Sequence, residues 1–187
     1  MSTTPVVGVY PPLSAPARGT RAAFPFAEPG FVLTHLGRGA VWLALRAMGL
    51  GPGHRLAMPA YHCGSEVEAA RLAGLEIVFY RVDRTLVVDR DDLARASAGC
   101  DATYVISHFG FPPVAAPPGG RLIEDVAHGL FSLGPDGPLG ATGETAIFCP
   151  RKSLGVPDGG GLLCRPGQSE RNVPPTVDGR PPARHVL

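Results

Sequence analysis

Lysine is nearly missing from this chain: of the 17 basic residues among 187, Lys152 alone is a lysine and the others are arginines. Other absences set wider limits. No block of five or more basic residues occurs and the formal net charge is +1, so neither a nucleic-acid surface nor an anionic membrane is an expected partner. The longest apolar runs, such as 40–45, fall far short of the roughly 20 residues that a bilayer span requires, so no transmembrane helix is expected. Residues 1–21 lack a basic stretch followed by an unbroken apolar core and do not read as a secretion signal. The four cysteines, Cys63, Cys100, Cys149 and Cys164, include no CxxC pair, which argues against a disulfide framework and a zinc site. They are expected to be small buried apolar residues in a protein of the reducing cytoplasm.

What is present suits one α/β domain. The chain is 44% hydrophobic and long enough to bury a real core. Residues 1–30 are proline-rich and 167–187 mix Pro, Arg and Gly without helical or strand period, so both are expected to pack weakly, around a domain at 31–166. Between them, apolar segments at 55–60, 76–82, 102–108, 121–126, 145–148 and 161–164 read as strands. Helical stretches read at 39–48, 65–73 and 89–96, the first two stopping at Gly49 and Gly74 and the third opening on acidic residues. Strands alternating with helices imply right-handed crossovers and a three-layer fold with a mostly parallel, buried sheet.

Ligands of such sheets sit beyond the carboxyl ends of the strands, so the residues following each strand carry the functional information. They read "PAYHCGSE" (59–66), "SHFGFP" (107–112), "LIEDVAH" (122–128) and "CPRKS" (149–153), and "THLGRGA" (34–40) precedes the first helix. One rim thus gathers glycines that let backbone amides approach an anion, aromatic and imidazole rings, an acid and the single amine. Pyridoxal phosphate needs such a set: a phosphate cup, a carboxylate at its ring nitrogen, a group over the ring and a lysine for a Schiff base. Each residue alone has a plainer role. Asp125 can cap a turn, His108 and His128 can be core or rim histidines, and Lys152 can be a solvated loop lysine.

The ordered motifs "LGRGAVWLALRAMGLGPGHRLAMPAYHC", "EIVFYRVDRTLVVDRDDL", "YVISHFGFP", "LIEDVAH" and "GETAIFCPRKSLGVPDGGGLL" resemble the DegT/DnrJ/EryC1/StrS sugar aminotransferases, of pyridoxal phosphate fold type I, over about 33–164. The resemblance implies that Lys152 carries the cofactor as a Schiff base and that Asp125 pairs with the ring nitrogen. It implies that His128 lies near the ring hydroxyl and that the amides of Arg38 and Gly39 bind the phosphate. Cys149 stands at a phosphate-binding serine of the family, and the family's ring-stacking aromatic aligns near Cys63, with Tyr61 or His62 as substitutes. It further implies an amino donor, a nucleotide-linked keto-sugar acceptor, a homodimer, and a last strand antiparallel to the rest. The family continues into a second half that builds a small domain, so a truncated aminotransferase is expected. The alternative is a pseudoenzyme or gene fragment that binds cofactor at most, without turnover.

Overall fold

The computed structural model describes residues 23–113 and 120–165. Its strands are β1 (Phe31–Thr34), β2 (Arg55–Pro59), β3 (Glu76–Tyr80), β4 (Ala102–Ile106), β5 (Leu122–Asp125), β6 (Leu133–Gly134), β7 (Gly137–Pro138), β8 (Thr145–Phe148) and β9 (Gly160–Cys164). The helices are α1 (Gly37–Ala47), α2 (Ser65–Leu72) and α3 (Arg90–Ser97). Seven strands form one sheet in the order β1-β9-β8-β5-β4-β2-β3, and β6 and β7 form a small antiparallel hairpin. Pairing is parallel from β3 through β8, and β9 runs antiparallel to both β8 and β1. The sheet is α/β and mostly parallel, as the sequence implies, with the last strand reversed.

Strand alternation assigns the two faces of this sheet. Leu56, Met58, Tyr104, Ile106, Ile123, Ile147 and Leu162 point to one side, where α1 and α2 cover them with Ala40, Val41, Ala44, Leu45, Val67 and Ala70. The i, i+4 spacing of Ala40, Ala44 and Val41, Leu45 gives α1 its buried stripe. Trp42 lies off that stripe, half exposed, with the Arg46 guanidinium 5.7 Å above its ring. On the opposite face, Ala57 and Tyr80 pack against Leu93 and Ala96 of α3. Farther along that face, Ala146, Phe148 and Leu163 meet Leu130, Leu139 and an aromatic group made of Phe24, Phe26 and Phe31.

Two features depart from the sequence-based expectations. Residues 24–26 are packed rather than loose: Phe24 meets Phe148 edge-on at 5.9 Å and Phe26 meets Phe31 at 5.2 Å, so aromatic anchors outweigh the prolines around them. Residues 1–22 and 166–187 lie outside the described residues. Helices also do not fill every gap. Among the described residues, β4 is followed by a 3-10 turn at His108–Gly110, and the β6–β7 hairpin stands between β5 and β8. Pro112 and Pro113 in the first gap, and glycines in both, disfavour helix. The connection from β7 to β8 is tied to the sheet by Glu124, whose carboxylate accepts from the backbone of Gly140, Thr142 and Gly143 and from the Thr142 hydroxyl.

Candidate functional site

β2 has β3 on one side and β4 on the other, so the chain reverses its direction across the sheet between β2 and β4. Such a reversal opens a crevice at the carboxyl ends of the strands. Here the β2–β4 pairing extends only to Ala57↔Thr103, and beyond it the strands part. The Tyr80 hydroxyl donates to the Tyr104 carbonyl at 2.8 Å, beyond the last β2–β4 pair. The connections after β1, β2, β4, β5 and β8 all reach this edge.

At the tip of β5, Asp125 is buried. Its Oδ2 accepts from the Tyr104 hydroxyl at 2.6 Å and its Oδ1 from the Ala127 amide at 2.8 Å. Burial raises the Asp125 carboxyl above the ordinary aspartate range, with the Glu66 charge adding to it, against the hydrogen bonds and the positive charge of Lys152. Three residues on, His128 Nε2 lies 3.0 Å from Lys152 Nζ. Burial lowers the His128 pKa, and the charges of Lys152 and His108 lower it further, so the imidazole is neutral at neutral pH. Phe109 lies flat on the His128 ring, 5.6 Å between centroids and 13° between planes. It does so from a left-handed backbone (φ 53°), a strained conformation for a phenylalanine.

Lys152 sits on a 3-10 turn at Pro150–Lys152 that follows β8 directly. It borders two adjoining cavities, of about 400 and 160 Å³, which share Cys63, Glu66, Asp125 and Ala127 as walls. The larger ends at the start of α1, lined by Leu36, Gly37 and Arg38, and at Cys149 and Arg151. No side chain caps this helix and no acid occupies its first turn, which leaves its leading amides and the positive end of its dipole facing the cavity. The Arg151 Nε is buried without a hydrogen-bond partner. Gly39 does not line the cavity, which Gly37 does; the Gly39 amide closes a turn on the Leu36 carbonyl at 2.9 Å.

The smaller cavity is walled by Tyr61, His62, His108, Phe109 and His128. Cys63, on the wall shared by both, is exposed rather than buried. Its thiol donates to Glu66 at 2.9 Å and its amide to the same carboxylate at 3.0 Å. Glu66 is buried, and although burial pulls its pKa upward, the hydrogen bonds from Cys63, Ser65 and the backbone outweigh this and keep it low. Cys149 and Cys164 are buried, as expected, and Cys100 is half-buried. Among the described residues no group of His, Cys, Asp or Glu is arranged to hold a metal ion, and no helix is long and apolar enough to cross a membrane.

Of the residues singled out by sequence, Arg38, Cys63, Asp125, Cys149 and Lys152 border the larger cavity, and His128 joins Lys152 in the smaller. Three participants escaped the sequence reading: Glu66, Tyr104 and Arg151. Arg151 is adjacent to the lysine and Glu66 lies three residues after Cys63, spacings that mark them as neighbours of the site. Tyr104 becomes visible only once the register of β4 on β5 is known.

The enclosed volume lies within the range of roughly 300–1,000 Å³ usual for small-ligand sites. The uncapped helix start, the Arg151 Nε without a partner, the buried Asp125 and the Lys152 amine line one cavity, and this donor set and charge fit pyridoxal phosphate.

No family model matches the chain. It is 30% identical over 140 residues to the dTDP-4-dehydro-2,3,6-trideoxy-D-glucose 4-aminotransferase of Saccharopolyspora spinosa, an alignment covering 69% of this chain and 36% of that one. In structure it resembles an aminotransferase from Streptoalloteichus hindustanus (TM-score 0.62, 22% identity, 73% of this chain and 40% of that one). It equally resembles a GDP-4-keto-6-deoxymannose-3-dehydratase solved with a trapped PLP-glutamate geminal diamine (TM-score 0.64, 20% identity, 72% and 39%). The chain thus spans well under half the length of the relatives it matches. Across that span, its seven-stranded mixed sheet has the fold of the pyridoxal phosphate-dependent sugar aminotransferases.

Proposed function

We propose that the cleft binds pyridoxal 5'-phosphate and that the chain is an aminotransferase-like protein, acting on a nucleotide-linked keto sugar with a small-molecule amino donor. The observation that carries this reading is the single lysine, its Nζ 3.0 Å from His128 Nε2 on the wall of a cavity that also holds a buried acid and an uncapped helix start. When bound, pyridoxal phosphate supplies an aldehyde that condenses with amines and a ring that accepts electrons when its nitrogen is protonated. The chain's own groups divide that work. The amides of Gly37 and Arg38, with the Arg151 guanidinium, would bind the phosphate, beside Cys149. Asp125 would hold the proton at the ring nitrogen, Cys63 would stand at the ring face, and His128 would stand near the ring hydroxyl. Lys152 is the amine that carries the cofactor and then moves a proton at the substrate carbon.

The acceptor class is supported by the nucleotide-linked dehydro sugar for which the Saccharopolyspora spinosa relative is named, and a homodimer would complete the substrate side. Exposed Tyr61 and Phe109 on the wall of the smaller cavity support such a second wall. The free thiols of Cys63, Cys100 and Cys149 support a reducing, cytoplasmic setting.

The test is to add pyridoxal phosphate, follow the visible absorbance, reduce with borohydride and map the modified peptide. The label should fall on Lys152, and Lys152→Ala should lose both the band and the label. Turnover is then assayed with glutamate and a nucleotide keto sugar. A label elsewhere, or a visible band that survives in Lys152→Ala, overturns the reading.

A further inference from the structure

The tyrosine behind Asp125 is not required by packing. Tyr104 is fully buried between aliphatic residues of the α1–α2 face, where a phenylalanine ring would fill the same space. Burying its hydroxyl is unfavourable unless the hydroxyl finds a partner, and the partner is Asp125 Oδ2 at 2.6 Å. Register makes the contact possible. β4 and β5 pair with Ile106 beside Asp125 and Tyr104 beside Ile123, so Tyr104 lies on the same face as Asp125, two residues nearer the strand starts. Two residues of strand rise about 6.6 Å, close to the reach of a tyrosine from Cα to hydroxyl, so a side chain leaning along the strand meets the carboxylate end-on. The Tyr104 backbone is itself anchored, since its carbonyl accepts from the Tyr80 hydroxyl at 2.8 Å.

We propose that Tyr104 is a positioning residue, which holds Asp125 as an oriented carboxylate facing the cleft. This rests on the reading that Asp125 meets a protonated ring nitrogen. The Ala127 amide holds the other oxygen, so both are fixed in direction and one lone pair on each remains for a ligand. The phenol is a permanent donor: burial first, then the Asp125 charge, pushes its ionisation far above the ordinary tyrosine range. Against the burial that favours a neutral Asp125, the Tyr104 hydrogen bond is the largest opposing influence, followed by the Ala127 amide. The other ionisable groups around the carboxyl are Glu66 from α2, which opposes ionisation, and Lys152 after β8, which favours it. His128, Arg38, Arg151 and His108 border the same cavities.

The test is Tyr104→Phe in the full chain, read first without cofactor by infrared titration. The protonated-carboxyl band of Asp125, identified by its loss in Asp125→Asn, should persist to distinctly higher pH in Tyr104→Phe. A 3-fluorotyrosine placed at position 104, a stronger donor of nearly the same size, should shift that midpoint the opposite way, and it keeps the test open should Tyr104→Phe fold poorly. With pyridoxal phosphate added, the pH midpoint of the visible band should move in the same sense as the infrared one. Infrared midpoints that are unchanged in the variants overturn the proposal. A shifted infrared midpoint in a protein that never binds pyridoxal phosphate leaves the positioning role standing and removes the cofactor reading instead.

Discussion

Asp125 sits where a free carboxylate is least comfortable, buried beside another acid, Glu66. A carboxyl whose folded pKa is raised binds its proton more tightly in the native than in the unfolded chain. Native stability therefore falls as pH rises from the ordinary aspartate range through the raised value, and the full cost is present above it. Asp125→Asn removes that cost, and with its oxygen toward the Ala127 amide its NH2 can donate to the Tyr104 hydroxyl. The variant should melt at a higher temperature than the parent at neutral pH, and the gap should close as the solution is acidified. His128 acts with the opposite sign, since its lowered pKa makes acid destabilising, and it is unchanged in both proteins. Melting curves across pH check this, and equal melting temperatures at neutral pH would refute it. The same substitution should weaken pyridoxal phosphate binding, a site that holds stability in reserve for function. Asp125 and Lys152 were legible in the sequence because each follows an apolar strand at a rim. Tyr104 and Glu66 were not, because nothing in a linear string tells which strand residue stands beside which carboxylate.

Among the elements, the edge pair β1 and β9 fixes the start of α1. The interior strands could be read from their apolar runs, and 145–148 agrees to the residue. β1 could not: it is four residues long, three of them only half-buried, and it is a strand because β9 lies beside it. Gly160, which pairs with Thr34, shows how tight that junction is. A Cβ at Gly160 would run into the Leu36 carbonyl and the Thr34 hydroxyl, and the Leu36 carbonyl accepts the amides of Gly39 and Ala40 in the first turn of α1. Gly160→Ala should therefore cost on the order of 1–3 kcal/mol of stability. It should also displace the helix amides and weaken phosphate or pyridoxal phosphate binding. At Gly161, by contrast, an added methyl meets chiefly the end of the Phe31 ring, a side chain able to give way, so Gly161→Ala should cost less. Denaturant unfolding of the two variants distinguishes them, and equal losses would mean that the Leu36 junction yields easily.

Seen whole, the cleft is assembled from chain segments far apart in sequence: 36–38, 61–66, 106–109, 125–128 and 147–152. A ligand that touches all of them links the first helix, the switch point between β2 and β4 and the turn after β8. Binding to the native state alone stabilises by mass action, about 2.7 kcal/mol at a ligand concentration of 100 Kd. For a chain of this size that raises the melting temperature by roughly 5–11 °C. Hydrogen exchange should slow in those five segments together and change little in α3, which packs on the other face against Ala57 and Tyr80 and borders neither cavity. Protection confined to 147–152 would instead mean that pyridoxal phosphate reacts with Lys152 as an exposed amine, without the helix start or the Asp125 end taking part. Inorganic phosphate supplies the control for one end of the cleft. It should protect the α1 start and the turn after β8, leave 125–128 unchanged, and lose its effect as salt is raised, because its hold is electrostatic.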